Sequence, residues 1–188
     1  MILGRAVRIA TTTIVISTAL CLSAYGQPSQ RRSQPSPFYV FGEYDYYTDS
    51  GDLRGGGGGL GWNFSPYLGV QTGAQFLNGS KRDIAHSGMD SHTAATVVYG
   101  EAKLSWPLTD NFSLYGSAGL AHGEATAHFT PTNGYPYSYD VSKQATGYRV
   151  GVGTEYWFTR HLGLRAAWHQ ENVGGVGGDL GVGVAFRF

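Results

Sequence analysis

The chain has 188 residues, with 13 Lys+Arg balanced by 13 Asp+Glu, 29 glycines and 14% aromatic residues. Charge balance leaves no basic footprint for nucleic acid. The apolar content is too high for a disordered chain, and the glycines follow no collagen period. The only cysteine, Cys21, falls in an N-terminal export segment, so neither a disulfide nor thiol chemistry is expected in the exported protein.

Residues 1–26 read as a secretory signal peptide. Arg5 and Arg8 supply the charged start, Ile9 to Leu22 an apolar run, and Ala24-Tyr25-Gly26 small residues at −3 and −1 of a cleavage point before Gln27. A retained membrane anchor fits less well because the run is short. A lipoprotein signal ending at Cys21 fits less well because Leu20 is bulky. Residues 27–37, polar and rich in Pro and Ser, have no periodicity and read as a flexible leader. Beyond them no stretch offers the roughly 18 apolar residues of a transmembrane helix, so a membrane reading must come from strands.

From Phe38 the pattern is strands of period two. Val40, Gly42, Tyr44 and Tyr46 share one face, with Glu43 and Asp45 on the other. Leu60, Trp62 and Phe64 form the apolar face of a second strand, after a loop expected over 48–57. Ser65-Pro66-Tyr67 is a tight turn. Leu68, Val70, Thr72, Ala74 and Phe76 then alternate with Gly69, Gln71, Gly73 and Gln75, up to a loop over 77–92. The fourth strand puts Val98, Ala102, Leu104 and Trp106 outward and Tyr99, Glu101, Lys103 and Ser105 inward. After a turn at Pro107–Asn111, Phe112, Leu114, Ala118 and Leu120 alternate with Ser113, Tyr115 and Ser117. A Tyr-, Pro- and His-rich loop covers 125–142. Next come Tyr148, Val150, Val152 and Tyr156 against Arg149, Gly151, Gly153 and Glu155. A turn at Thr159–His161, a strand from Leu162 to Trp168 with Arg165 inward, and a loop over 170–178 follow. Last is Leu180-Gly-Val-Gly-Val-Ala-Phe-Arg-Phe188.

Eight strands joined alternately by long and short connections predict an all-β, eight-stranded antiparallel transmembrane β-barrel with long extracellular loops and tight periplasmic turns, over residues 38–188. Aromatic residues collect near the two ends of the strands, as a pair of interfacial girdles would. A secreted β-sandwich also explains alternation and export. It does not explain charges and glycines on the face that a sandwich must bury.

Three stretches carry a family resemblance: Ser65-Pro-Tyr-Leu-Gly-Val-Gln-Thr-Gly73, Ala102-Lys-Leu-Ser-Trp-Pro-Leu-Thr-Asp110, and Glu155-Tyr with Leu164-Arg-Ala. The sequence from Phe38 to Phe188 resembles the OmpA-like outer-membrane β-barrel domain. The resemblance implies residence in the bacterial outer membrane. It also implies a polar cluster in the lumen in which a Lys and an Arg pair with acids and interrupt the water path. By position these are Lys103, Glu155 and Arg165. Gln71 falls where the family has an acid; it can hydrogen-bond but not neutralise, and Glu101, on the face of Lys103, is the alternative. Phe186 and Phe188 resemble the terminal signal read by the barrel assembly machinery. No C-terminal peptidoglycan-binding domain is expected. Independently of the family, Glu101, Lys103, Arg149, Glu155 and Arg165 share inward parity, and charges in a narrow lumen should be paired.

Other candidates are weaker. Arg54-Gly-Gly-Gly-Gly-Gly-Leu-Gly61 lacks the strand-and-helix context of a dinucleotide loop. The six histidines have no helical metal spacing. His86, His92 and His128 lie in different loops that could converge at the outer rim as a surface metal site; scattered solvated histidines are the stronger reading, so no metal site and no cofactor are expected. His122 with Glu124 is the only pair suggesting an enzyme. Thr130–Asp140 has the composition of a contact surface, and Lys81 with Arg82 suits lipopolysaccharide phosphates. The expected function is a non-enzymatic envelope protein that supports outer-membrane integrity or binds a surface partner through its loops. The runner-up is a narrow porin-like channel gated by Lys103, Glu155 and Arg165. Expected partners are outer-membrane lipid, lipopolysaccharide and the assembly machinery.

Overall fold

The structure, a computed structural model, describes residues 37–47, 53–81, 89–131, 137–173 and 176–188. The expected signal peptide and all but the last residue of the leader lie outside them, as do Arg82, His86 and residues 132–136.

Every regular element among the described residues is a strand: β1 (Phe38–Tyr47), β2 (Arg54–Asn63), β3 (Leu68–Lys81), β4 (Met89–Pro107), β5 (Phe112–Pro131), β6 (Tyr139–Trp157), β7 (Leu162–Val173) and β8 (Val176–Arg187). Each pairs antiparallel with its neighbour in sequence, and β8 pairs with β1 to close the barrel. Closure runs from Tyr39 opposite Arg187 to Tyr47 opposite Asp179. It leaves the apolar β8 no exposed edge.

Three of the tight connections share one device. The hydroxyl of Ser65 accepts from the amides of Tyr67 and Leu68 at 3.2 and 3.0 Å. Thr109 does the same for Asn111 and Phe112 at 3.3 and 3.0 Å, and Thr159 for His161 and Leu162 at 3.1 and 2.9 Å. A short hydroxyl side chain substitutes for a backbone acceptor and fixes the reversal.

The barrel is inverted relative to a soluble protein. Leu60, Val98, Leu120, Val152, Val182 and Val184 face outward and are exposed, while Glu43, Gln71, Glu101, Lys103, Arg149 and Arg165 are buried inside. An apolar belt of this size is tolerated in lipid and not in water. Among the described residues no helix is long and apolar enough to cross a membrane.

Strand lengths depart from expectation. Gly55, Gly56 and Gly57, expected in the loop, lie within β2, with Gly57 opposite Glu43 and Gly55 opposite Asp45. The reason is space inside the barrel. A Cβ on Gly59 would meet the Phe41 ring at 2.6 Å, and one on Gly57 would meet Gln75 Cγ at 2.9 Å. Bare backbone on β2 lets the rings of β1 lie against it. The other outer connections are also shorter than expected: β3 runs to Lys81, β4 starts at Met89, β5 runs to Pro131, β6 starts at Tyr139, and β7 runs to Val173.

β4, β5 and β6 have 19, 20 and 19 residues. About 9–11 tilted residues cross a bilayer, so roughly the outer half of each projects beyond it. Register between β6 and β7 begins only at Arg149 opposite Glu171. Outward of that, β6 continues on β5 alone up to Tyr139 opposite Phe129. The projecting sheet is held by a stacked Phe129–Tyr139 ring pair at 4.9 Å and by a hydroxyl contact between Thr126 and Ser142 at 3.1 Å.

Candidate functional site

Inward parity brings Gln71, Glu101, Lys103, Glu155 and Arg165 together, each 4% exposed or less. The lower part of the cluster centres on Arg165 of β7. Its Nε lies 2.7 Å from Glu43 Oε1. Its Nη2 donates to Tyr115 Oη at 3.0 Å and to Gln71 Oε1 at 3.3 Å, and the guanidinium lies 4.0 Å from the Phe41 ring centre. Lys103 donates to Glu155 Oε1 at 2.5 Å, and its ammonium sits between the rings of Tyr39 and Tyr115 at 4.9 and 4.8 Å. Glu155 also stands 3.9 Å from Arg165 Nη1, so both cations share it.

The upper part centres on Arg149 of β6. Its Nε is 2.8 Å from Glu101 Oε1, its Nη1 binds Glu171 and donates to Gln75 Oε1 at 3.0 Å, and its plane lies 4.2 Å from the Tyr99 ring centre. Tyr47 donates to Gln75 and Glu171 at 3.0 and 3.2 Å. Gln71 joins the two parts. Its Oε1 accepts from Tyr39 at 3.2 Å, and its Nε2 donates to Glu101 Oε2 at 2.7 Å. A neutral amide both donates and accepts, which an acid at this position would not do when ionised. Glu101 therefore neutralises Arg149 rather than Lys103.

Sequence parity placed the five residues. It did not single out Glu43, which completes the Arg165 site, although Glu43 lies on the inward face of β1. Glu171 was missed because it falls in the stretch read as loop. His169 continues the inward series after Arg165 and meets Asp179 at 3.3 Å. Of the suggested enzyme pair, His122 Nδ1 contacts Thr146 Oγ1 at 2.8 Å, across the strand pair. Phe186 and Phe188 are exposed at the short-turn end, in T-shaped contact at 5.4 Å, and Phe188 also reaches Phe38 at 5.6 Å. Among the described residues, no group of three or more His, Cys, Asp or Glu side chains is arranged to hold a metal ion.

A closed meander with a lipid-facing apolar belt and a lumen filled by ion pairs and tyrosines is an integral membrane β-barrel of the bacterial outer-membrane kind. The chain belongs to the outer membrane protein beta-barrel domain family, whose model matches residues 17–188. The protein is accordingly a bacterial outer-membrane protein. Solved structures agree on the fold. The N-terminal β-barrel domain of Pseudomonas aeruginosa OprF superposes with a TM-score of 0.58 at 19% identity, covering 84% of this chain and 100% of that one. Ail, the attachment invasion locus protein of Yersinia pestis, gives 0.56 at 18% identity, covering 81% and 97%. A major outer membrane protein of Thermus thermophilus gives 0.63 at 15% identity, covering 82% and 100%. No curated protein sequence matches the chain.

Proposed function

We propose that the protein is a non-enzymatic outer-membrane scaffold whose lumen is closed by its ion-pair network and whose projecting β4–β6 sheet binds a partner at the cell surface. The observation that carries this reading is the division of labour along the strands. Arg149 and Arg165 are buried in the interior with aromatic rings packed against them. The 19- and 20-residue strands, by contrast, extend only on the outer side. Buried ion pairs that satisfy one another and rings that fill the remaining space rigidify a barrel and leave little path for water. Strand beyond the bilayer has no role in spanning it, and a sheet outside the cell suits recognition. Attachment is in the name of Ail, the attachment invasion locus protein, which has the same fold. Phe186 and Phe188, exposed at the end of β8, are proposed to engage the assembly machinery, and lipid and lipopolysaccharide to surround the belt.

Deleting Thr130–Asp140 is the test. The reading expects the barrel to fold and adhesion of cells expressing it to host or matrix surfaces to fall at least tenfold; unchanged adhesion refutes the binding role. A second reading, a narrow gated channel, rests on one feature: Glu155 lies within reach of both Lys103 and Arg165. An exchange of that carboxylate between the two cations would shift the network without leaving a charge bare.

A further inference from the structure

The outward face of the projecting sheet carries a row of polar side chains crossing four strands. Ser80 of β3 stands opposite His92 of β4, His92 opposite His128 of β5, and His128 opposite Asp140 of β6. Residues directly opposite on one face of an antiparallel pair hold their Cβ atoms about 4.5–5.5 Å apart. Side-chain contacts confirm the row at both ends: His92 Nδ1 lies 2.9 Å from Ser80 Oγ, and His128 Nδ1 lies 2.5 Å from Asp140 Oδ1. Each imidazole thus spends Nδ1 on its outer neighbour and keeps Nε2 available, on adjacent strands. The side chains of His128 and Asp140 are 50% and 65% exposed, so an ion reaches them from bulk water.

We propose that His92 and His128 form a two-imidazole chelate for a divalent transition-metal ion of the zinc or copper class, with Asp140 and Ser80 as its hydrogen-bonding supports. Imidazole nitrogen selects such ions, whereas calcium and magnesium prefer oxygen cages. A metal-bound histidine almost always gives its other ring N–H to a carboxylate or comparable acceptor. Asp140 already occupies that place on His128: accepting a proton at Nδ1 leaves the lone pair on Nε2. Two protein ligands leave the remaining coordination positions to water, or to a donor group on a docked partner. Helical spacing is the wrong criterion for this pair, since strand register makes neighbours of residues far apart in sequence.

The location suits binding from outside. Leu120 of β5 pairs with Tyr148, one of the outer aromatic residues, and His128 is eight residues farther out. At about 3.3 Å per residue and a tilt of about 45°, that places it on the order of 20 Å beyond the girdle. The other described histidines are engaged otherwise: His122 with Thr146, His161 with the Arg187 carbonyl, and His169, buried, with Asp179.

The experiment uses the untagged protein, purified from outer membranes into detergent and stripped with a chelator. Cu2+ is titrated by calorimetry, and the complex is read by electron paramagnetic resonance. The expected result is one tight site with superhyperfine coupling to two imidazole nitrogens. His92→Ala and His128→Ala should each reduce the coupling to one nitrogen. Asp140→Asn should weaken binding by about 10- to 100-fold, the usual effect of losing a supporting carboxylate. His122→Ala should change nothing. Undiminished Cu2+ affinity in the His92→Ala, His128→Ala double variant overturns the proposal, as does a native spectrum with a single nitrogen. All these side chains are exposed, so the variants should fold, and heat-dependent gel migration verifies it. The readout is metal rather than adhesion, so loss of the surface-binding reading leaves this result standing.

Discussion

Arg165→Ala strikes the lumen where most contacts meet. The guanidinium is lost from Glu43 at 2.7 Å, from Tyr115 and Gln71 at 3.0 and 3.3 Å, and from the Phe41 ring. Glu155 keeps Lys103, but Glu43, 8% exposed, is left without its cation. Removing one member of a buried pair costs about 3–5 kcal/mol, because the remaining charge stays desolvated. Most of that penalty should fall on Glu43, so Arg165→Ala, Glu43→Gln should recover a substantial part of it. The assay is equilibrium unfolding in guanidinium with lipid or detergent present, followed by the loss of the heat-shifted gel band. A change below about 0.5 kcal/mol, which is surface-mutation scale, would refute the claim that this ion pair organises the lumen.

Lys103→Met and Glu155→Gln should each destabilise by about 3–5 kcal/mol, and the double variant by clearly less than their sum, since both remove the same contact; additive effects in the unfolding assay would deny the 2.5 Å pair. Gly59→Val places a side chain against the Phe41 ring and should lower the thermal midpoint of the gel shift by more than Gly100→Val, where a Cβ meets nothing within 4 Å. Val182→Arg, on the lipid face, should cost about 2–4 kcal/mol if it lies near the midplane, which transfer from denaturant into bilayers measures. Phe188→Ala should reduce the amount of assembled barrel in cells while leaving refolding of purified protein in detergent unchanged; equal loss in both would make Phe188 a stability residue rather than an assembly signal.

The membrane-spanning half of the molecule was legible because lipid on one side and a packed lumen on the other impose period two. Parity alone put Lys103, Glu155 and Arg165 inside. Beyond the bilayer both faces meet water and the apolar period disappears: outward Thr126, Ser142 and Gln144 look like loop residues, although they continue β5 and β6. Glu171 was hidden differently: it is buried in β7, but the polar, glycine-rich stretch from Gln170 to Gly178 reads as loop. The glycines after Arg54 misled for another reason. Glycine is usually depleted in strands, yet here bare backbone is what the rings of Tyr39 and Phe41 require. Which charges meet could not be read from one strand at a time. Arg149 reaching Glu101, and His92 facing His128, follow from register across neighbouring strands.

The central claim is that the ion-pair network closes the lumen. Its most direct test is single-channel recording of the native protein in a planar lipid bilayer, with folding verified by heat-dependent migration of the same sample. The account predicts a silent bilayer under applied voltage, with no discrete current steps. Reproducible openings of uniform size from folded native protein would contradict it and make the shared Glu155 carboxylate the gate.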